Sequence, residues 1–108
     1  MHSVLGPGYL ESTDEEALAV ELGLRSIPFV RQAPLSISYK RKVVGQQRID
    51  LLVDGDLVVE LKAVESFLPI HVAQVMSYLK AGAFDLALLI NFNVPRLKDG
   101  IRRVFWFP

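Results

Sequence analysis

Apolar and polar residues change their spacing several times along the chain, and each change predicts a secondary-structure element. Residues 11–26 place acidic side chains in a first turn and apolar ones at helical spacing, which predicts a helix. Ser12 or Thr13 is its predicted N-cap, and Pro28 ends it because proline cannot continue a helix. Five apolar residues form its predicted core-facing side: Ala17, Leu18, Val20, Leu22 and Leu24. The glycines and proline of residues 6–10 predict a turn before it.

The central part of the chain alternates with the period of two that is typical of strands. Residues 29–39 alternate around Pro34, so they predict one bent strand or two short ones near a sheet edge. Residues 40–47 predict a basic turn and a short strand that leads into the hairpin. Residues 47–63 predict a β-hairpin with a glycine in its loop.

The last third of the chain predicts a helix followed by strands. Residues 69–81 begin with a proline and show helical spacing, with Gly82 as the predicted C-terminal stop. Residues 84–92 form a continuous apolar run of strand length, as in a buried central strand. Residues 93–100 predict a loop and residues 101–107 a final strand. This order of elements predicts an α/β domain with a mixed sheet.

Composition bounds the class of protein. The 108 residues suffice for one domain, expected over 1–108, and 51% hydrophobic residues allow a folded core. The absence of cysteine excludes a disulfide scaffold, a thiolate metal site and a cysteine nucleophile, and it fits a reducing compartment. We find neither a signal-peptide pattern nor an apolar run of roughly 20 residues, and we expect a cytoplasmic protein without membrane contact.

The charges sum to zero but are sorted along the chain. Residues 11–21 are acidic, whereas residues 31–48 hold five basic residues and no acid. A third group, residues 96–103, is basic apart from Asp99. The basic groups predict contact with a polyanion, solvated loops and strand edges being the alternative. Zero net charge argues against indiscriminate nucleic-acid binding.

The hairpin of residues 47–63 carries charged residues in its middle. A three-residue loop, Asp54-Gly55-Asp56, pairs Val53 with Leu57, because glycine can adopt the positive φ that such a loop requires. This register places Asp50 opposite Glu60 on one face of the hairpin. A two-residue loop would instead place Asp50 opposite Val59.

Two facing carboxylates are unfavourable by themselves. Their Cβ atoms lie about 5 Å apart, and like charges at that distance destabilise a sheet. A divalent cation reverses the sign, because hard cations prefer oxygen ligands. Lys62, on the same face, could then contact a phosphate oxygen or orient a water molecule. The alternative is a solvated sheet face with diagonal salt bridges such as Asp50 to Lys62.

The second predicted helix carries a polar stripe beside an apolar one. His71, Gln74 and Tyr78 share one side, since residues three and four apart are neighbours on a helix. The predicted core-facing stripe consists of Val72, Val75, Met76 and Leu79. The polar stripe could overhang the carboxylates, and an ordinary half-exposed helix is the alternative. Glu11 could join the carboxylates or simply interact with its own helix dipole.

Taken together, these motifs resemble the PD-(D/E)XK nuclease superfamily, in the branch of RecB-like and lambda-type exonucleases. The pattern is a helical Glu11, then Asp50, then "ELK" at 60–62, then "QVMSY" at 74–78. The chain is most similar to a small group in it, the GxxExxR proteins, through "LGPGYLES", "EEALAVEL", "RIDLLV", "VVELKAV", "QVMSYLK" and "LLINFNVPRLKDGIRRV". The resemblance implies a restriction-endonuclease-like αβββαβ core with a mixed sheet flanked by helices.

The resemblance also implies a metal-dependent nuclease acting on DNA, which is favoured over RNA. Asp50 and Glu60 would bind Mg²⁺ or Mn²⁺, helped by Glu11 and the backbone carbonyl of Leu61. Lys62 would be the third catalytic residue. Three residues of the second helix would contact substrate or orient the site: His71, Gln74 and Tyr78. A non-catalytic nucleic-acid- or protein-binding module on the same fold is the alternative.

Two departures from the resembling group bear on this expectation. Its members usually have a helix before the Gly-Pro-Gly turn, which this sequence lacks, so we expect a homodimer or a protein partner to cover that side. They also commonly have "ESVYEEAL", where this chain has Thr13 and Asp14. Asp50, Glu60 and Lys62 are intact, which favours a competent site.

Overall fold

A five-stranded mixed sheet with a helix on each face organises residues 11–107, which are the residues described by this computed structural model. The predicted turn at 6–10 lies outside them. The helices are α1, Glu11–Leu24, and α2, Pro69–Gly82. The strands are β1, Phe29–Tyr39; β2, Lys42–Val53; β3, Leu57–Lys62; β4, Leu86–Asn91; and β5, Ile101–Phe105. A 3₁₀ turn, Leu97–Gly100, interrupts the predicted loop before β5.

The strands lie in the order β1-β2-β3-β4-β5. Only the β3–β4 pair is parallel, and α2 forms the crossover between these two strands. The predicted hairpin register is confirmed, since Val53 pairs with Leu57 and Leu51 with Val59. The αβββαβ order and the mixed sheet therefore agree with a restriction-endonuclease-like α/β core.

β1 and β2 extend well beyond the end of β3. Residues 33–39 of β1 and 42–49 of β2 continue as a two-stranded ribbon, with no third strand on the β2 side among the described residues. Pro34 lies in the edge strand β1, as predicted, and edge strands are where a sheet tolerates proline. Lys40 and Arg41 connect the strands, and both have positive φ, 49° and 69°, as in a type I′ turn.

Each helix covers one hydrophobic cluster. On the α2 side, Val75 and Leu79 are fully buried, with Val72 and Met76 packed at the edge, which confirms the predicted apolar stripe. On the α1 side, Leu18 and Leu22 pack against a second set of buried residues. That set consists of Leu51, Val59, Leu61, Ile90 and Phe92.

Two details of α1 differ from expectation. Ser12 and Thr13 lie inside the helix, so neither is its N-cap. Val20 and Leu24 are 57% and 77% exposed, because only the stripe containing Leu18 and Leu22 meets the sheet.

The C-terminus of α1 is closed by its backbone before Pro28 is reached. Ile27 N donates to Leu22 O at 3.0 Å, and Ser26 adopts a left-handed φ of 55°. These features form a Schellman motif, which ends a helix without help from proline.

The end of α2 also differs from expectation. Gly82 was the predicted stop, but the left-handed residue is Ala83, with φ 56° and ψ 37°. Phe84 N donates to Leu79 O at 2.9 Å and completes the turn. Gly82 is needed for space, since the ring of Phe84 occupies the position that a Cβ at residue 82 would take.

We therefore expect Ala83→Gly to raise the free energy of unfolding by about 1 kcal/mol, because glycine enters the left-handed region without the cost that a Cβ imposes. Gly82→Ala should lack the usual helix-propensity gain and lower stability, since the Phe84 ring must move. Urea unfolding of both variants measures the two changes. A stabilised Gly82→Ala variant would contradict the packing role.

Candidate active site

The ladder between β2 and β3 ends at Leu51 and Val59, and two carboxylates replace the next backbone bonds. Asp50 N donates to Glu60 Oε1 at 2.9 Å. Leu61 N donates to Asp50 Oδ2 at 2.8 Å. Each carboxylate thus accepts an N–H from the opposite strand, and the pair lies between the two strands.

Burial makes this pair electrostatically unusual. Glu60 is 4% exposed, so a solvated sheet face is wrong for this residue. Burial first, and then the charge of Asp50, raise the pKa of Glu60 to about 8. Burial also raises the pKa of Asp50, against the lowering effect of the Leu61 N–H. The two carboxyl groups therefore resist carrying two negative charges unless positive charge is added.

Lys62 supplies part of that positive charge. It is the last residue of β3, and its ammonium group lowers the pKa of both Asp50 and Glu60. Among the described residues no ion pair joins Lys62 to either carboxylate, so the diagonal salt bridge of the alternative interpretation is not found there. The backbone of Lys62 is held by β4, because Phe92 N donates to Lys62 O at 2.9 Å.

Of the three predicted residues on α2, Tyr78 lies near the carboxylates, and Gln74 is its hydrogen-bond partner. Tyr78 is 3% exposed, and its hydroxyl donates to Gln47 Oε1 at 3.5 Å. Burial, followed by the charges of Glu60 and Asp50, raises the pKa of Tyr78, whereas a hydrogen bond with Gln74 lowers it. Tyr78 therefore remains a neutral hydrogen-bond donor near the pair.

His71 has a different place. Its Nδ1 accepts from Leu68 N at 3.0 Å, and His71 N donates to Leu68 O at 3.0 Å. This reciprocal pairing caps the N-terminus of α2 in the manner of a capping box. Its ring also meets Phe67 edge-on, with centroids 6.3 Å apart. The structure thus places the His71 ring in the helix cap and not with the carboxylate pair.

The opposite side of the pair faces α1. Glu11 Oε1 accepts from Ala63 N at 3.2 Å, directly after Lys62. A cavity of about 190 Å³ separates α1 from the strands. Its lining consists of Glu11, Ser12, Glu15, Gln32, Asp50 and Leu61. The structure therefore brings Glu11 to the same cavity as Asp50 and the Leu61 backbone.

Glu15 and Gln32 are residues of this cavity that the sequence analysis missed. Gln32 Nε2 donates to Glu15 Oε1 at 2.8 Å, and the charge of Glu15 contributes to raising the pKa of Asp50. Gln32 has a φ of 50° within β1 and stands opposite Asp50, between the paired residues on either side. The spacing of Glu15, four residues after Glu11, was a usable signal, whereas nothing local marks Gln32.

Asn91 is another missed residue, and it orders the segment that follows Lys62. Its side chain is buried, donates to Val64 O at 2.8 Å and accepts from Val64 N at 3.1 Å. It also accepts from Asn93 N at 3.0 Å. A lone amide in the apolar run of residues 84–92 was the sequence signal that could have found it.

The donor set suits a hard divalent cation only in part. Within residues 11–107 no three His, Cys, Asp or Glu side chains are gathered as a ready-made metal cage. Asp50 and Glu60 each leave one carboxylate oxygen without a backbone donor from that same part of the chain. Mg²⁺ commonly uses one or two carboxylates and completes its shell with water and substrate phosphate, so a two-carboxylate site fits it.

Comparison with protein families identifies the superfamily of this chain. A model of the PD-(D/E)XK nuclease superfamily matches residues 1–104, and the chain belongs to this superfamily. Membership suggests nuclease activity on a nucleic-acid substrate, and these nucleases generally use divalent metals. The comparisons with curated proteins and with solved structures gave no significant match. Neither helix of residues 11–107 combines the length and hydrophobicity needed to span a bilayer.

We expect the free energy of unfolding, measured with a chelator present, to fall as pH rises from about 5 to about 8. The pKa of Glu60 rises from its ordinary 4.5 to about 8 on folding, so the folded state keeps a proton that the unfolded chain has released. Above about pH 8 this contribution is fully lost. Glu60→Gln should flatten the dependence, whereas the exposed control Glu65→Gln should retain it. Equal slopes in all three proteins would contradict the buried pair.

We expect Gln32→Gly to raise the free energy of unfolding, or to leave it unchanged, although it removes a hydrogen bond. A non-glycine residue in the left-handed region costs roughly 1–2 kcal/mol, which offsets the loss of an exposed bond to Glu15. Ser26→Gly, in the turn between α1 and β1, is the matched control for relief of positive φ. Urea unfolding measures both, and marked destabilisation by Gln32→Gly alone would contradict strain at this residue.

Proposed function

We propose that this domain hydrolyses phosphodiester bonds in nucleic acid, with DNA favoured over RNA and with Mg²⁺ or Mn²⁺ as cofactor. The observation that carries the proposal is the buried Asp50–Glu60 pair between two strands, with Lys62 beside it. Two buried like charges destabilise a fold unless a cation neutralises them. Superfamily membership supports the same activity.

Asp50 and Glu60 would hold the ion, with the Leu61 carbonyl and Glu11 as further proposed ligands. A bound Mg²⁺ or Mn²⁺ supplies positive charge that stabilises the transition state at phosphorus. The backbone donors at Asp50 and Leu61 fix one oxygen of each carboxylate, so the remaining oxygens are preorganised before any ligand arrives.

The other residues would act on substrate and water. The Lys62 ammonium group would stabilise negative charge that develops on the phosphate and would orient the attacking water. Tyr78 and Gln74 would contact the nucleic-acid backbone or orient the carboxylates, since the neutral Tyr78 hydroxyl can donate. His71 remains a candidate substrate contact only through its position at the start of α2, because its Nδ1 serves the helix cap.

Within the superfamily we propose that the chain is a GxxExxR protein of the RecB-like and lambda-exonuclease-like branch. The segments that support this assignment run from residue 5 to 104, in the order typical of that group. We further propose that residues 1–108 form one domain, and that a second copy or a protein partner binds it.

The test is metal-dependent cleavage of labelled DNA and RNA by the parent protein and by three variants: Asp50→Asn, Glu60→Gln and Lys62→Met. Each variant should lose roughly 10²-fold or more in kcat with Mg²⁺, because each removes charge that acts on the transition state. Glu65→Gln, an exposed neighbour, is the control and should cut like the parent. Calorimetric titration with Mn²⁺ should show binding by the parent and by Lys62→Met, but not by Asp50→Asn.

Equal cleavage by the parent and Asp50→Asn would contradict this function and point to a contaminating nuclease. Nucleic-acid binding without cleavage by any of the proteins, together with no Mn²⁺ binding, would favour the alternative of a non-catalytic binding module on the same fold.

A further inference from the structure

The two-stranded ribbon of β1 and β2 carries an acid-free surface away from the carboxylate pair. From residue 22 to residue 49 the chain has no Asp or Glu, and the ribbon lies wholly within this stretch. The cations of the ribbon are Lys40, Arg41, Lys42 and Arg48, and all four are exposed. Among the ion pairs of residues 11–107, none involves these four residues.

One face of the ribbon is free for contact. Ala33 and Leu35 turn toward α2 and are buried, whereas Pro34, Ser36, Gln46 and Arg48 are exposed. Pro34 pairs with Arg48 and Ser36 with Gln46, so these four residues form one small surface. Arg48 is its one charged residue, and none of the four is acidic. This surface runs along β2 toward Asp50.

The turn at the tip of the ribbon has cations where stability alone would favour other residues. Both central positions of a type I′ turn need positive φ, for which Asn-Gly is preferred. Here they are Lys40 and Arg41, with φ of 49° and 69°. The Lys40 ammonium group lies 5.4 Å from the ring centroid of the exposed Tyr39, which keeps it at the tip. The tip thus concentrates three consecutive positive charges despite a local backbone cost.

The ribbon is long enough to follow several base pairs of a nucleic-acid duplex. Asp50 lies eight positions after Lys42, which corresponds to about 26 Å of strand, or about eight base-pair steps. One continuous duplex can therefore present a phosphodiester bond to the carboxylate pair and further phosphates to the tip. A two-stranded ribbon also has the dimensions that the major groove of B-DNA admits.

We propose that the β1–β2 ribbon is an arm that holds duplex DNA, with Lys40, Arg41 and Lys42 binding its backbone phosphates while the carboxylate pair meets the strand to be cut. The inference rests on the proposed function for the identity of the substrate. In this arrangement the tip contributes binding affinity for DNA, and the carboxylate pair carries out the hydrolysis. Loss of the tip should therefore weaken DNA binding and raise KM, with metal binding unchanged.

The test uses a tip variant and a charge-matched control. The tip variant is Lys40→Asn, Arg41→Gly and Lys42→Gln, which also provides the Asn-Gly pair that suits the turn. The control is Lys98→Gln, Arg102→Gln and Arg103→Gln, which removes the same charge near β5, at the opposite edge of the sheet. Binding of a labelled DNA duplex is measured against salt concentration with a chelator present, and thermal unfolding is recorded for each protein.

The plot of log K against log salt should be less steep for the tip variant by about 2.7, since each lost phosphate contact contributes about 0.9. Binding should be roughly tenfold or more weaker at about 0.1 M salt, with the melting temperature unchanged or higher. The control should keep a slope close to that of the parent. An unchanged slope in the tip variant would contradict the proposed arm. An equal loss of DNA affinity in the tip variant and the control would also contradict it.

Two further measurements separate this inference from the proposed function. The tip variant should bind Mn²⁺ as the parent does, and its kcat at saturating DNA should be close to the parental value. Asp50→Asn should keep the salt dependence of the parent while losing cleavage. If the parent neither binds Mn²⁺ nor cuts DNA, but the tip variant alone loses DNA affinity, the proposed function fails and the arm stands.

Discussion

The exchange of backbone hydrogen bonds for carboxylate hydrogen bonds between β2 and β3 is the constraint on which the site depends. Asp50 and Glu60 each accept an N–H that would otherwise belong to the ladder. The strands are thereby held apart at this point without leaving either donor unsatisfied. Burial then makes two negative charges unfavourable together, so the same contacts that preserve the sheet also create a demand for positive charge.

The surrounding elements hold this gap open from both faces of the sheet. α1 brings Glu11 and Glu15 to the side of Asp50, whereas α2 brings Tyr78 to the side of Glu60. The parallel β3–β4 pair fixes the register of Lys62 against Asn91, and the Asn91 amide orders the chain that follows. The two carboxyl groups are thus positioned by both helices, by β2, β3 and β4, and by the buried Asn91 amide. Most elements of this small domain therefore contribute to the site.

The sequence was most informative where one local rule decided the outcome. A three-residue loop with glycine determined the hairpin register and so the pairing of Asp50 with Glu60. Periodicity likewise identified the buried stripe of α2. It could not show that Gly82 serves packing while Ala83 takes the left-handed conformation, because that depends on where the Phe84 ring lies. The strained Gln32 and the capping role of His71 also depend on neighbours that no local pattern specifies.

The geometry of the ribbon has a consequence for how such a domain can change over evolutionary time. Beyond Ile37 and Gly45 the two strands of the ribbon pair only with each other among residues 11–107. Residues can therefore be added or deleted there in pairs without shifting the β2–β3 register. The length of the ribbon can therefore change in evolution without a change in the reaction at the carboxyl groups. Ribbon length sets how far the domain extends along a bound polymer. Relatives with longer or shorter ribbons would be modular variants of one scaffold, differing in footprint while sharing one reaction centre.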